Sequence, residues 1–177
     1  MSMRRQKFLL FRVYKFQDAK AYQQLYDFYF DKLYRYIYFK VPRPEDSEEI
    51  TSEVFLRGWE YMTASKVEHA GALFYKIARN LVADFYRQRG MTEPLEQGQY
   101  VSAETLSEKI IVKQESEELI RALRQLKEEY RDVLVMRYLN EMSIKEIASV
   151  FEKTPNSVRV LLHRARKALR EIATGSY

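Results

Sequence analysis

No cysteine occurs among the 177 residues, which excludes disulfides, thiolate nucleophiles and thiolate metal sites and is compatible with a reducing compartment. Glycine and proline are scarce, at five and four, and with abundant Leu, Lys, Glu, Arg and Tyr this argues for a mostly helical chain. Long apolar runs are absent too. The N-terminal one, residues 8–11, is too short for the core of a signal peptide. No segment approaches the ~20 apolar residues of a bilayer span, so no membrane insertion is expected and a cytoplasmic location is. Histidine is limited to two residues. His69 reads as a solvated loop residue and His163 as a phosphate contact on a basic helix, and neither has metal-ligand company. No metal site, catalytic residue or cofactor is expected. What the chain does have is 46% hydrophobic and 14% aromatic residues, enough to bury real cores. Its formal charge of +5 is modest, so where the charges lie matters more than their sum.

Residues 143–169 carry the strongest local signal. Ser143 can cap a short helix with Ile144, Ile147, Ala148 and Phe151 facing inward. Thr154 followed by Pro155 is a second helix start, an oxygen acceptor at the N-cap and then proline at the first helical position. Val158, Leu161, Leu162, Ala165 and Leu169 then recur at helical spacing. Asn156, Ser157, Arg159, Val160, His163, Arg164, Arg166 and Lys167 are left facing outward, and no acid interrupts residues 153–170. Such a surface suits phosphate, and two helices so arranged form a helix-turn-helix whose ligand is duplex DNA. The plain alternative is a helical hairpin with a solvated basic face.

Upstream, Asp18 reads as the N-cap of a long helix reaching about residue 40, until Val41-Pro42-Arg43-Pro44 breaks it. Helices are expected over 45–61, with Ile50, Val54, Phe55 and a core Trp59 on one stripe, and over 72–89. A loop, 61–71, lies between them. The basic stretch 1–17 is assigned no element. Gly90, Pro94 and Gly98 open a polar, aperiodic stretch, 90–112, that reads as a flexible linker. Helices over 115–126 and 128–139 follow. The chain is therefore expected to be all-α, with two small helical domains, 1–89 and 113–177, joined by that linker.

Two faces of the first domain stand out. Glu45, Asp46, Glu48, Glu49 and Glu53 crowd the start of the second helix, where carboxylates suit the helix dipole. A docking surface for a basic helix is a second reading; a Mg²⁺-dependent nuclease centre on Asp46, Glu49 and Glu53, which share one helix face, is a remote third, since no supporting acid cluster or histidine is evident. The third helix points Lys76, Arg79, Asn80, Asp84, Arg87, Gln88 and Arg89 outward, with Tyr75 and Tyr86 expected between them. Such side chains can bond base edges and stack on unpaired bases. A basic solvent face is the plainer reading.

Four blocks, in order, resemble one family. Segment 46–59, DSEEITSEVFLRGW, and segment 74–87, FYKIARNLVADFYR, resemble the first two signature segments of the extracytoplasmic-function (ECF, group 4) sigma factors. Segment 130–134, YRDVL, with Tyr138 and 143–148, SIKEIA, resembles the opening of their C-terminal domain, and Val158-Arg159 with 162–169, LHRARKAL, its close. The resemblance implies an alternative sigma factor, a dissociable initiation subunit that is not itself an enzyme. Asp46, Glu48, Glu49, Glu53 and Arg57 would dock on the clamp coiled coil of the largest subunit of core RNA polymerase. Lys76, Arg79, Asn80, Asp84 and Arg87 would engage the −10 element of promoter DNA, with loop 61–71 taking an extruded base. Asn156, Ser157, Arg159, His163, Arg164 and Lys167 would read the −35 element, and linker 90–112 would thread the polymerase. An anti-sigma factor is a further partner the resemblance allows.

The chain departs from the family pattern at four places, one of them the atypical loop 61–71. Glu152 stands where a turn glycine is frequent, so the turn either pays a left-handed strain or takes another shape, and an acid is put beside the DNA face. Val160 and Leu161 replace a polar and a basic residue, and Lys127 replaces a proline. The main rival is a stand-alone helix-turn-helix regulator, which has no need of an acidic helix.

Overall fold

The computed structural model describes residues 1, 3–89 and 115–175. The expected flexible linker lies outside them. Among the described residues every regular element is helical, as expected.

The first element is one that the sequence pattern left unassigned. Helix α1 (Met3–Phe16) forms because Gln6, Leu9, Leu10 and Val13, at helical spacing, are all buried. It ends where Gln17 turns left-handed at φ 48°. Asp18 then caps α2 (Ala19–Tyr38), its carboxylate accepting from Ala21 N at 3.0 Å. Ala21, Leu25, Tyr29, Leu33, Tyr36 and Ile37 bury the inner side of α2, which lies against α1, α3 and α4.

Helix α3 (Pro44–Ala64) begins on its own proline and runs three residues past its expected end. Helix α4 (Ala70–Gln88) starts two residues early. The loop expected over 61–71 therefore shrinks to residues 65–69. Gly58 sits where α3 crosses α4: a Cβ there would lie 2.4 Å from the Phe74 ring. Around that crossing Phe55 meets Phe74 with ring centroids 5.0 Å apart. Trp59, expected in the core, is half-buried and packs edge-on to Tyr22.

The C-terminal set begins with α5 (Glu115–Gln125). The expected single helix over 128–139 is instead α6 (Glu128–Leu134) continuing into a wide π-helical turn, Val135–Leu139. Helix α7 (Ile144–Phe151) opens on a full capping box: Ser143 Oγ accepts from Glu146 N, and the Glu146 carboxylate accepts from Ser143 N. Helix α8 (Pro155–Ala173) opens on Thr154, as expected, and buries Val158, Leu161, Leu162 and Ala165.

The two helical sets touch. Lys40, only 1% exposed, binds Asp132 at 2.9 Å and Glu128 at 2.6 Å, and Tyr36 donates to the same Asp132 oxygen at 2.9 Å. Burial first, then the Asp132 charge, pushes the Tyr36 hydroxyl well above its ordinary range. Helix ends in the C-terminal set leave carbonyls without partners of their own, and cations of the first set take them. Arg35 reaches Leu139 O at 3.2 Å, Lys32 reaches Asn140 O at 3.5 Å, and Arg79 reaches Val150 O at 3.1 Å.

Candidate nucleic-acid interface

Helix α8 presents the face its pattern predicts. Asn156, Ser157, Arg159, His163, Arg164 and Lys167 are all exposed. The cap uses part of Ser157, whose N–H donates to Thr154 Oγ1 at 3.2 Å. Lys167 has Glu171 no nearer than 3.8 Å. Val160 is 44% exposed within this cationic face, and an apolar group there can meet a thymine methyl. Leu161 points the other way, at 7% exposure, so of that pair only Val160 puts an apolar side chain on the outer face.

Glu152 does adopt the left-handed conformation expected of a turn glycine, at φ 54° and ψ 39°. Its carboxylate turns away from α8 to Lys76, at 2.5 Å. The hydrogen bond from Lys76 holds it below the usual carboxylate range. The acid expected beside the DNA face is thus matched by a cation of α4.

On α4 the expected row is present but partly occupied. Asn80 and Arg87 are exposed, and Arg87 pairs with Asp84 one turn away at 3.0 Å. Lys76 is held by Glu152. Arg79 is half-buried, bonded to Val150 O and lying 5.0 Å from the Phe151 ring centre. Tyr75 and Tyr86 correct the sequence reading. Both are buried, at 0% and 4%. Tyr75 accepts from Asn140 Nδ2, and Tyr86 donates to Lys40 O. The exposed ring nearby is Tyr61, at the end of α3. His69, expected to be solvated, is half-buried at the α4 N-cap.

The acidic start of α3 divides in two. Glu48 and Glu49 are exposed, and Glu53 is bound by Arg57 at 2.7 Å on the same side. A groove of about 250 Å³ runs past Glu49, Glu53 and Arg57 toward Phe85 and Gln88 of α4. Asp46 does not share that surface. It is 2% exposed and receives Arg43 at 2.7 and 3.0 Å and Arg89 at 3.1 Å. Those bonds, Arg43 foremost, hold its carboxyl below the usual range against the opposing effect of burial. Asp46 braces the start of α3 against the end of α4. That role depends on Arg89, a partner too distant in sequence for helical spacing to reveal. Among the described residues no group of three or more His, Asp or Glu is placed to hold a metal ion.

Known proteins resemble this chain in sequence and in fold. The family description "Sigma-70 region 2" matches residues 25–92, and "Sigma-70, region 4" matches residues 116–169. The chain is 30% identical over 158 residues to the ECF RNA polymerase sigma factor BldN of Streptomyces coelicolor, covering 86% of this chain and 60% of that protein. It is 28% identical over 167 residues to the ECF RNA polymerase sigma factor SigW of Bacillus subtilis, covering 87% and 89%. Among solved structures, CnrH in complex with the cytosolic domain of CnrY superposes with a TM-score of 0.73 at 19% identity, over 98% of this chain and 99% of that one. The sigma factor RpoE in complex with the anti-sigma factor NepR, from Bartonella quintana, gives 0.62 at 16% identity, over 90% and 100%. At those identities the two structures establish the all-α fold.

Proposed function

This chain belongs to the ECF RNA polymerase sigma factors, alternative subunits that direct the polymerase to promoters, and from that premise we propose how its surfaces divide the work. The exposed acids Glu48 and Glu49, with the half-buried Glu53 and its partner Arg57, dock on the clamp coiled coil of core polymerase. Asp46 keeps that surface in place from inside. Lys76, Arg79, Asn80, Asp84 and Arg87 engage the −10 element and the strand melted from it. Asn156, Ser157, Arg159, His163, Arg164 and Lys167 meet the −35 element in the major groove. Residues 1–89 and 113–177 act as two domains joined through 90–112. The chain is an initiation factor without catalytic residues of its own, working beside the polymerase in the cytoplasm. An anti-sigma factor is a partner of the kind with which the structural neighbour RpoE is paired.

One observation carries this reading over that of a stand-alone regulator. A cationic helix-turn-helix and a polar α4 face share the chain with an exposed acidic surface that DNA binding alone does not use. The arrangement described is a closed one. Lys76 touches Glu152, and from Glu152 to Asn156 the chain can extend only about 14 Å. Promoter elements about 25 base pairs apart are separated by some 85 Å. The two sets of helices must therefore part before both elements are engaged at once.

Run-off transcription with purified core polymerase on fragmented genomic DNA tests the proposal: discrete new transcripts are expected only when the chain is added. The double variant Glu49→Lys, Glu53→Lys should lose core binding while keeping its helical circular dichroism and its melting temperature. Core binding at the wild-type level would remove the docking surface from α3.

A further inference from the structure

Between Asn156 and Lys167 of α8, Val160 is the one exposed side chain with neither a charge nor a hydrogen-bonding group. It is 44% exposed, on the side opposite the buried Val158, Leu161, Leu162 and Ala165. At about 3.6 residues per turn it falls in one row with Asn156, His163 and Lys167, and that row points away from the core. Arg159 and Arg164, both exposed, lie to either side of it. Cations so placed suit the phosphates of the two groove walls, which leaves the row itself over the base edges. A lone apolar residue is ordinary on a protein surface. This one stands in the middle of the ridge that a recognition helix turns into the groove, and the −35 contacts proposed above leave it without a role.

The chemistry of base edges limits what it can meet. The major groove offers donors, acceptors and, on thymine alone, a methyl group. Against a purine N7, a guanine O6 or a cytosine amino group, valine would displace water and return no hydrogen bond. Against the thymine 5-methyl it buries apolar surface on both partners. Valine also keeps one strongly preferred rotamer in a helix. Its methyl groups are therefore in place before DNA arrives, and little side-chain freedom is lost on contact.

We propose that Val160 is a specificity-determining residue of the −35 contact, its isopropyl group packing on the 5-methyl of one thymine and so fixing an A·T pair at that position. The inference rests on the −35 role proposed for α8 and adds to it a base choice made by a side chain with no polar group.

The test uses the holoenzyme, this chain with core polymerase, titrated onto duplexes of a promoter mapped by run-off transcription. Each thymine of the −35 element, on either strand, is replaced in turn by uracil, which deletes the methyl and keeps the pairing. At one position uracil should weaken the wild-type complex about fourfold, the worth of one buried methyl. At that position Val160→Ser should bind the thymine and uracil duplexes alike, while Val160→Ile should keep the preference for thymine. Val160→Ser leaves every cation of α8 in place, so its salt dependence should match the wild type. Uracil tolerated at every position by the wild type overturns the contact. So does a uracil penalty that persists undiminished in Val160→Ser, which would assign the methyl to another side chain. A shallower salt dependence in Val160→Ser would show that α8 had shifted on the DNA, and the lost preference would then be structural. In each of these cases promoter-specific transcription continues and the initiation-factor reading stands. A chain that gives no promoter-specific transcripts with core polymerase overturns that reading and this inference with it.

Discussion

Asp46 lies in the middle of an acidic run and behaves unlike its neighbours. Arg43 and Arg89 hold it, so its folded pKa lies below its unfolded value, near 3.9. A depressed carboxyl contributes stability that is present in full above the unfolded value and is lost as pH falls through the folded one. Asp46→Asn is therefore expected to cost about 1–3 kcal/mol at neutral pH, and this cost should shrink as the pH drops below about 4. Thermal melts of both proteins at neutral and acid pH check this; a pH-independent difference would show that charge is not what the arginines recognise. The same residue marks how far single positions were legible. Ser143, Thr154 and Asp18 announced their caps because a cap is made within three residues. At Glu152 the sequence left a left-handed turn and another shape both open, and the structure takes the first. The burial of Asp46 depends on Arg89, 43 positions away, and that of Tyr75 on Asn140, 65 positions away. No local pattern encodes either.

Among the helices, the α3–α4 crossing is the most tightly specified. A methyl group at Gly58 would fall 2.4 Å from Phe74, a fully buried ring with little room to withdraw. Gly58→Ala should destabilise the fold by about 1–3 kcal/mol through overpacking, although alanine is the better helix former. A denaturant midpoint no lower than wild type would mean the helices can slide apart. The long amphipathic helices were readable because each repeats its apolar stripe over several turns. Helix α1 was not, since Phe8, Phe11, Tyr14 and Phe16 place rings on its outer side and blur the period. Nor was the wide turn over Val135–Leu139. What accompanies it is long-range: the carbonyls of Leu139 and Asn140 accept from Arg35 and Lys32 of α2.

For the molecule as a whole, the closed arrangement turns on a few buried polar interactions. Removing one partner of a buried ion pair typically costs about 3–5 kcal/mol, because the other charge is left unmatched. Asp132→Ala would leave Lys40, 1% exposed, without its buried partner, and parting of the two helical sets would return that ammonium to water. Small-angle scattering should show the radius of gyration rising by several ångströms from the roughly 16 Å of a compact chain of this length. An unchanged radius would place the hold elsewhere, with Arg35, Arg79 and Asn140 the next to vary. This level of organisation was the least legible, since residues 92 positions apart meet at Asp132.

Lys76 and Arg79 are already satisfied before any nucleic acid arrives, one by a carboxylate and the other by a carbonyl. A phosphate reaching Lys76 displaces Glu152, so the encounter is an exchange of partners and not the filling of a vacant charge. Ions released from the phosphate are offset in part by ions that gather on the freed carboxylate. Affinity for the −10 strand is thereby less sensitive to ionic strength than a tally of α4 cations implies. On the helix-turn-helix face Lys167 has Glu171 at 3.8 Å, a looser pair than that of Lys76 with Glu152, so that face keeps more of the dependence. Changing salt would then weaken the two ends of the promoter complex unequally, with the −35 end yielding first.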